Sequence, residues 1–420
     1  MIKMRMGEWE TMTIERLNKG QKEMVRDLYQ LCFSSTFDSE SFNAYLESDD
    51  LWEFVWGVVS DETLLSSYVS YEGGVKVRTV PFQVFYFDGF VTRPGYRKKR
   101  MGQKMFEHQR KVAKEKSVKL FALDPFKNSY YKQFGFEDAL DLLKIDIPMR
   151  NLLKDKIDDL YQTVTISAFR SLKAKQALRE IGEREWEEGT YNPMRLPEAY
   201  FMGMFNQNAW KVVLLKDDDE TYRGSLLYEV KDRTMTVYKM SFFDLKAIYT
   251  FRDWFGQFRD QIDEISFFKA PPDFPIEVLV QTFHAGSSHV NLRIYPTRMM
   301  QILDIQYAIQ KLLPVLNLPG EPVVIKFTDE QMTDNNQILS VSQNGVKPVK
   351  KMRVDLTISV PDFVPIFTGR LSFSDQFRSG KVKIPSHSNP SWNPVFHPDI
   401  IRRMNEIFPR VSTHNNEFCF

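Results

Sequence analysis

The spacing of hydrophobic and polar residues changes period several times along this chain, most sharply between Phe82 and Phe136. Val84 to Val91 is an unbroken apolar and aromatic run bounded by Pro81 and by Pro94-Gly95, which predicts a buried strand. From Met101 the period becomes helical. Met101, Met105, Val112 and Ala113 share one face while Lys104, Glu107, Lys111 and Lys114 fall on others. Val118 to Leu123 predicts a second buried strand, and a short helical segment then leads into Tyr131, Gly135 and Phe136.

The same reading extends both ways. Helical spacing covers Lys19 to Phe33 and Ser39 to Leu46. Strands are expected at Trp52 to Ser60 and Leu64 to Val75, joined as a hairpin by Asp61-Glu62, and Leu140 to Ile147 is expected to supply the last strand of a first domain. The charged stretch Lys154 to Asp159 and a helix carrying Arg179, Glu183, Arg184 and Glu185, read as solvated, mark a boundary. The earlier order then recurs, with strands at Trp210 to Lys216, Gly224 to Lys231 and Thr234 to Phe243, a helix Leu245 to Phe258 and a strand Glu264 to Phe268. A third region opens after Pro296. It predicts strands at Val323 to Phe327, Gln337 to Gln343 and Met352 to Ser359, a Pro-started helix ending at Gly369, and a segment Leu371 to Arg378 running into Gly380.

Composition narrows the class. A chain of 420 residues suggests two to three domains, and 43% hydrophobic content with 14% aromatics is ample for packed cores. Fifty-six basic against fifty-five acidic residues leave no global field, which argues against nucleic-acid binding by bulk charge. Two cysteines, Cys32 and Cys419, make no disulfide framework, and no Cys/His spacing suggests a metal site. The histidines His108, His284, His289, His387, His397 and His414 are scattered and read as surface or loop. No apolar leader opens the chain and no run is long enough to span a membrane, so a soluble, cytoplasmic protein without a membrane partner is expected.

The chemistry begins where a helix starts inside a cationic loop. Arg97, Lys98, Lys99 and Arg100 precede Met101 and Gly102. The first N–H groups of a helix lack internal partners and carry the positive end of its dipole, so added cations suit a pyrophosphate. The alternative is a solvated charge run at a routine helix start. In the second half of the chain the corresponding stretch, Met240 to Leu245, has neither glycine nor basic residue, so no such site is expected there.

The spacing of Tyr131, Gly135 and Phe136 resembles the Y-x-x-x-G-F signature of GNAT acetyltransferases. The loop from Arg97 to Gly102 is similar to their R-x-x-G-x-G/A pyrophosphate loop, with Arg100 standing at the first glycine. The third region resembles a sterol-carrier-protein fold, which in unrelated proteins holds lipid in an apolar tunnel. Together they resemble the Eis (enhanced intracellular survival) family of N-acetyltransferases over essentially the whole chain. The implied architecture is α/β: a catalytic GNAT domain over 1–148, a degenerate GNAT-like domain over 149–296 and a sterol-carrier-like domain over 297–420, with mixed sheets flanked by helices.

The resemblance also implies roles. Acetyl-CoA is the donor, held by Phe90, Val91, Arg97, Lys98, Lys99, Arg100, Met101 and Gly102, with no metal. A small-molecule or lysine amine is the acceptor, and aminoglycosides or polyamine-like compounds belong to that class. Tyr131 is the general acid, and backbone N–H groups near Val91 hold the oxyanion. The tail Glu417 to Phe420 carries two phenylalanines that are costly to leave in water, and the family match makes the C-terminal carboxylate of Phe420 the base. Tyr130, one place off the motif, is expected to matter less. Ser34, Ser35, Thr36, Phe37, Asp38 and Glu40 are expected near a substrate mouth or as a helix-capping turn. A homo-oligomer, often hexameric in the family, is implied too. The rival reading is a lipid- or ligand-binding carrier working through the third region.

Overall fold

A computed structural model of the chain describes residues 13–33, 39–154, 157–166, 172–188, 194–197, 210–270, 274–280, 290–318, 320–350, 352–385 and 399–411. Two compact units divide it: one built mainly from residues up to Leu140 and from Thr297–Val411, the other mainly from Asp141–Arg195 and Met204–Pro296. Among the described residues no helix is long and apolar enough to cross a membrane.

In the first unit the strands β1 (Glu15–Arg16), β2 (Val55–Ser60), β3 (Thr63–Val77), β4 (Val80–Thr92) and β5 (Leu120–Leu123) lie side by side in that order. The first four pair antiparallel, and β4 and β5 pair parallel through the crossover helix α3 (Met101–Glu115). Helices α1 (Lys22–Cys32) and α2 (Ser39–Glu47) precede the hairpins, and α1 buries Val25, Leu28 and Tyr29. Asp61 and Glu62 both adopt positive φ, the geometry that matches the twist of a two-residue hairpin. Arg78 and Thr79 do the same between β3 and β4. The expected strand boundary at Pro81 is therefore displaced: Pro81 lies within β4, opposite Lys76. The core under α3 joins Tyr68, Phe85, Phe87, Phe106, Phe121 and Phe136.

A strand from far along the chain comes between β5 and the next strand in sequence. Leu140 to Ile147 falls in β6 (Glu137–Pro148), whose Leu143 to Pro148 half pairs antiparallel with the Glu264–Ala270 strand. The neighbour of β5 is the Asn291–Ile302 strand, in register from Met299 opposite Leu123 to Ile302 opposite Leu120. Periodicity marks a strand but not its partner, which tertiary packing decides.

The rest of this unit is a five-stranded sheet from Val323–Thr328, Ile338–Ser342, Gly345–Pro348, Leu356–Ser359 and Val382–Lys383. Met352 to Asp355, expected in a strand, lies outside it. Helix Val360–Thr368 starts on a Ser359 cap and ends at Gly369, φ +90°. Its last carbonyls are claimed by the Arg78 hairpin: the guanidinium donates to the oxygens of Phe367 (3.0 Å) and Ile366 (2.8 Å).

In the second unit Gln162–Ile166, Lys211–Lys216, Tyr222–Lys231 and Thr234–Phe242 form an antiparallel set, and Thr234–Phe242 pairs parallel with Glu264–Ala270 across helix Leu245–Gly256. This repeats the hairpin, crossover helix and parallel partner of the first unit. Helix Leu172–Glu188 departs from its solvated reading, because Ala174, Ala177, Leu178 and Ile181 are buried. Glu185 is buried too, and meets Lys239 at 2.9 Å with both side chains 5% exposed.

Candidate active site

The parallel register between β4 and β5 runs from Val84 opposite Leu120 to Phe87 opposite Leu123 and then stops. Beyond it β4 continues for five residues, but its pairing with β3 slips between Ser67 opposite Val91 and Val69 opposite Asp88. The extra residue is a bulge, and Gly89 in it has φ +58°. A methyl group at Gly89 would collide with Tyr29, whose hydroxyl donates to the Gly89 carbonyl at 3.0 Å. The bulge re-aims the end of β4 just where β5 gives out, so the pairing of the two strands ends at Phe87 and Leu123. Continued one step, the register sets Asp88 opposite Asp124.

Past the bulge the chain turns through Pro94–Tyr96 and reaches α3. Lys98 and Arg100 both take left-handed φ, +63° and +57°. Arg100 thus adopts the conformation glycine favours, and its side chain is exposed. Left-handed residues in such a turn help converge backbone N–H groups on one point, the geometry of an anion nest. No side chain caps α3 and its first turn holds no acidic residue, so its N–H groups face outward unclaimed. Arg97 braces the turn by donating to the Thr92 carbonyl at 3.1 Å, and the Lys99 ammonium lies 4.8 Å from the Tyr96 ring centre.

Gly102 has a steric reason. A methyl group there would stand 2.3 Å from the Tyr130 hydroxyl, which packs over the first turn of α3. Tyr130 belongs to helix α4 (Asn128–Lys132), as does Tyr131. The turn after α4 is fixed from two sides: Arg110 donates to the Phe134 carbonyl at 2.8 Å and Gln301 donates to it at 2.9 Å. Gly135, φ +90°, lies against Gln301, so a side chain there is excluded both by conformation and by contact. This clamp sets Tyr131, whose ring is 4% exposed and sits edge-on to Phe126 at 5.8 Å and Phe106 at 6.5 Å. Among the described residues nothing hydrogen-bonds its hydroxyl.

Electrostatics converge on the same place. Burial raises the pKa of Tyr29, Tyr45 and Tyr131, with a neighbouring phenol as second cause and the Asp88 carboxylate as third in each. Tyr45 and Tyr71 share a 2.6 Å hydrogen bond. Asp88 is exposed to solvent by surface area, yet protein atoms crowd its carboxyl on the other sides. That enclosure, and less strongly the Asp124 charge, raises its carboxyl above the ordinary aspartate value against a 2.7 Å hydrogen bond from the Gly89 N–H. Asp124 is neutralised by the fully buried Arg298 at 2.9 Å, whereas Asp88 has no cationic partner among the described residues.

Most residues expected from the sequence are therefore contiguous. Val91 follows the bulge and its carbonyl accepts from Ser66 at 2.6 Å, and Arg97 to Gly102 make the turn and helix start. The Phe90 ring stacks on Phe106 at 4.8 Å and packs, partly buried, against the core under α3. Phe420 and Cys419 lie outside the described residues, as do Ser34, Ser35, Thr36, Phe37 and Asp38; the side chain of Glu40 is not described. Asp88, Gly89, Asp124 and Arg298 were missed. Asp88-Gly89 inside an apolar strand was the available signal, since a lone glycine there marks a bulge. His108, read as surface, is half-buried, 4.8 Å from the Trp56 ring and 3.1 Å from the Tyr68 hydroxyl.

A β-bulge just past the end of a parallel pairing, a nest at the next helix and a tyrosine from the following one coincide with a sequence match. Residues 13–139 match the acetyltransferase (GNAT) domain family. The chain carries a GNAT acetyltransferase domain. It is an enzyme of that class. A search of curated protein sequences returns no match. Solved structures resemble the chain over nearly its whole length. A GCN5-related N-acetyltransferase from Anabaena variabilis gives a TM-score of 0.78 at 15% identity, covering 97% of this chain and 100% of its own. An Enterococcus faecalis protein described as a probable N-acyltransferase gives 0.77 at 14%, covering 97% and 99%. Eis1 from Mycobacterium abscessus gives 0.74 at 17%, covering 96% and 99%. At these identities the likeness is one of fold.

GNAT domains use acetyl-CoA, and the first unit fits it: the nest and the uncapped helix start suit a pyrophosphate, and Gly102 leaves room for the Tyr130 ring to pack against the first turn. The second unit does not. At the equivalent turn Asp244 caps its helix, accepting from the Ala247 N–H at 2.8 Å and the Tyr161 hydroxyl at 2.8 Å, so a carboxylate occupies the place a phosphate would need.

Proposed function

We propose that the chain transfers the acetyl group of acetyl-CoA directly to a primary amine, in the manner of the Eis family. Acetyl-CoA supplies the acyl group as a thioester. The observation that carries the reading is the meeting, at one end of the sheet, of the β4 bulge, the α3 nest and the Tyr131 phenol. The nest N–H groups and Arg97, Lys98, Lys99 and Arg100 would hold the pyrophosphate, and backbone groups at Phe90 and Val91 the acyl oxygen. The amine nitrogen forms the new bond to the acyl carbon as the carbon–sulfur bond breaks. Its proton leaves to a carboxylate, and the sulfur takes one from Tyr131. Burial keeps that phenol protonated, so it stays a donor to the sulfur throughout the neutral range.

Two carboxylates are proposed for the amine. The C-terminal carboxylate of Phe420 is the base that the family resemblance implies. Asp88 supplies the charge that draws an ammonium into the tyrosine-walled cleft. A sterol-carrier-like role for the third region, a homo-oligomer and a cytoplasmic setting complete the proposal. Thiol release from acetyl-CoA across a panel of amines tests it. Tyr131→Phe should lower kcat by roughly a hundred-fold or more while moving the acetyl-CoA KM little. Full activity in that variant, or no thiol release with any amine, would overturn it.

A further inference from the structure

The Tyr131 phenol is placed by ring packing and by its backbone, because among the described residues nothing hydrogen-bonds its hydroxyl. The backbone route is short. The N–H groups of Phe134 and Phe136 both donate to the Tyr131 carbonyl, at 3.0 and 3.4 Å. The Phe134 carbonyl in turn accepts from Gln301 at 2.9 Å and from Arg110 at 2.8 Å. A single residue, Phe134, therefore stands between the Tyr131 carbonyl and the Gln301 amide.

Gln301 is fixed at both ends. Its backbone lies opposite Phe121 in the β5 register, against the strand that leads into α4, and its side chain is 1% exposed. The amide Nε2 donates to the Phe134 carbonyl while Oε1 accepts from Arg110 at 3.5 Å, so one side chain arranges both donors on that oxygen. Gly135 keeps the approach clear, since a methyl group there would stand 2.7 Å from Gln301 Nε2. A buried amide satisfied in this way holds one orientation, whereas an apolar side chain of equal volume fills the space without fixing the turn. Other residues from the later part of the chain hold the same segment. Thr368 donates to the Ala139 carbonyl at 2.7 Å, and Lys381 lies 3.8 Å from Glu137, which pairs at 2.5 Å with Lys132, the neighbour of Tyr131.

We infer that Gln301 is a positioning residue for acetyl transfer: through the Phe134 carbonyl it holds the Tyr131 phenol where the departing sulfur is protonated. The inference rests on Tyr131 being the acid, as proposed above. A group that acts only through another loses its effect once that other is removed. The test is a cycle of full-length proteins: wild type, Gln301→Met, Tyr131→Phe and the double variant, with kcat read from thiol release and acetyl-CoA affinity from calorimetry. Gln301→Met nearly conserves volume and loses the hydrogen bonds. It is expected to lower kcat roughly ten-fold, because a small misplacement of a reacting group is costly, with the acetyl-CoA Kd within about two-fold of wild type. In the Tyr131→Phe background the same substitution should change kcat by less than about two-fold. Gln301→Glu keeps the shape and the Arg110 contact but, ionised, cannot donate; it carries the same expectations and takes the place of Gln301→Met in the cycle if that variant does not fold. An unchanged kcat would overturn the positioning role. So would an equal loss in both backgrounds with Tyr131→Phe itself impaired, which leaves the acid reading standing. Full activity in Tyr131→Phe would overturn both.

Discussion

The contact between Gly102 and Tyr130 gives a quantitative test of how the start of α3 is built, where the pyrophosphate is proposed to bind. In Gly102→Ala the new methyl would stand 2.3 Å from the Tyr130 hydroxyl, far inside contact distance. The ring cannot swing away freely, because it packs on Tyr131 at 5.1 Å, Phe134 at 5.3 Å and Phe126 at 6.0 Å. Overpacking of this kind costs about 1–3 kcal/mol, against a gain of up to about 1 kcal/mol from replacing glycine by alanine in a helix. With Tyr130→Phe as background the clashing atom is gone, and the next atoms, the Phe134 and residue 130 ring carbons, stand at 3.5 Å, an ordinary contact. There the same substitution should be neutral or stabilising. Urea denaturation of the four proteins reads the coupling directly, expected at about 1–3 kcal/mol, and calorimetric titration with acetyl-CoA should show binding weakened in Gly102→Ala and recovered in the double variant. Equal effects of Gly102→Ala in both backgrounds, within about 0.5 kcal/mol, would refute the steric account.

Other consequences are open to measurement. In the second unit, Lys239→Met removes the buried cation beside the Glu185 carboxylate and should destabilise by about 3 kcal/mol or more, most of it recovered by adding Glu185→Leu; urea midpoints decide, and no recovery would mean the pair is not the cause. The Asp88 carboxyl titrates above its ordinary value of 3.8 in the fold, so the native state holds that proton more tightly than the unfolded chain. Its destabilising effect is full above the folded pKa and disappears as pH falls below the unfolded one. Asp88→Asn should therefore raise Tm at neutral pH, with the gain closing by about pH 3.5, and should raise the KM for the amine. A gain equal at both pH values would exclude titration of Asp88 as its origin.

Much of this architecture was legible because its signals are local. The apolar run ending at Val91, the helical face through Met101 and Met105 and the Tyr131 to Phe136 turn each lie within a few residues, and each stands where the pattern put it. What stayed hidden depends on distant pairing. Nothing near Arg298 or Gln301 announces that one neutralises Asp124 and the other holds the Phe134 carbonyl. Arg179 to Glu185 read as solvated because charge dominates the window, although Glu185 turns inward to Lys239. Arg100 looked like a departure from a glycine position; its left-handed backbone keeps the turn and turns the charge outward.

The strand beside β5 has a bearing on how this protein is made. Asn291–Ile302 covers the edge of β5, and Arg298 and Gln301 on it hold Asp124 and the Phe134 carbonyl, yet they leave the ribosome some 170 residues after those partners. Until then a nascent N-terminal portion presents an Asp124 lacking its Arg298 ion pair and an uncapped β5, whose bare edge is a template for unwanted strand addition. A fragment ending at residue 148 should accordingly be aggregation-prone and bind acetyl-CoA poorly, despite containing the whole Arg97–Gly102 loop proposed to hold the pyrophosphate. A monomeric fragment with full affinity would show that the late strand is dispensable.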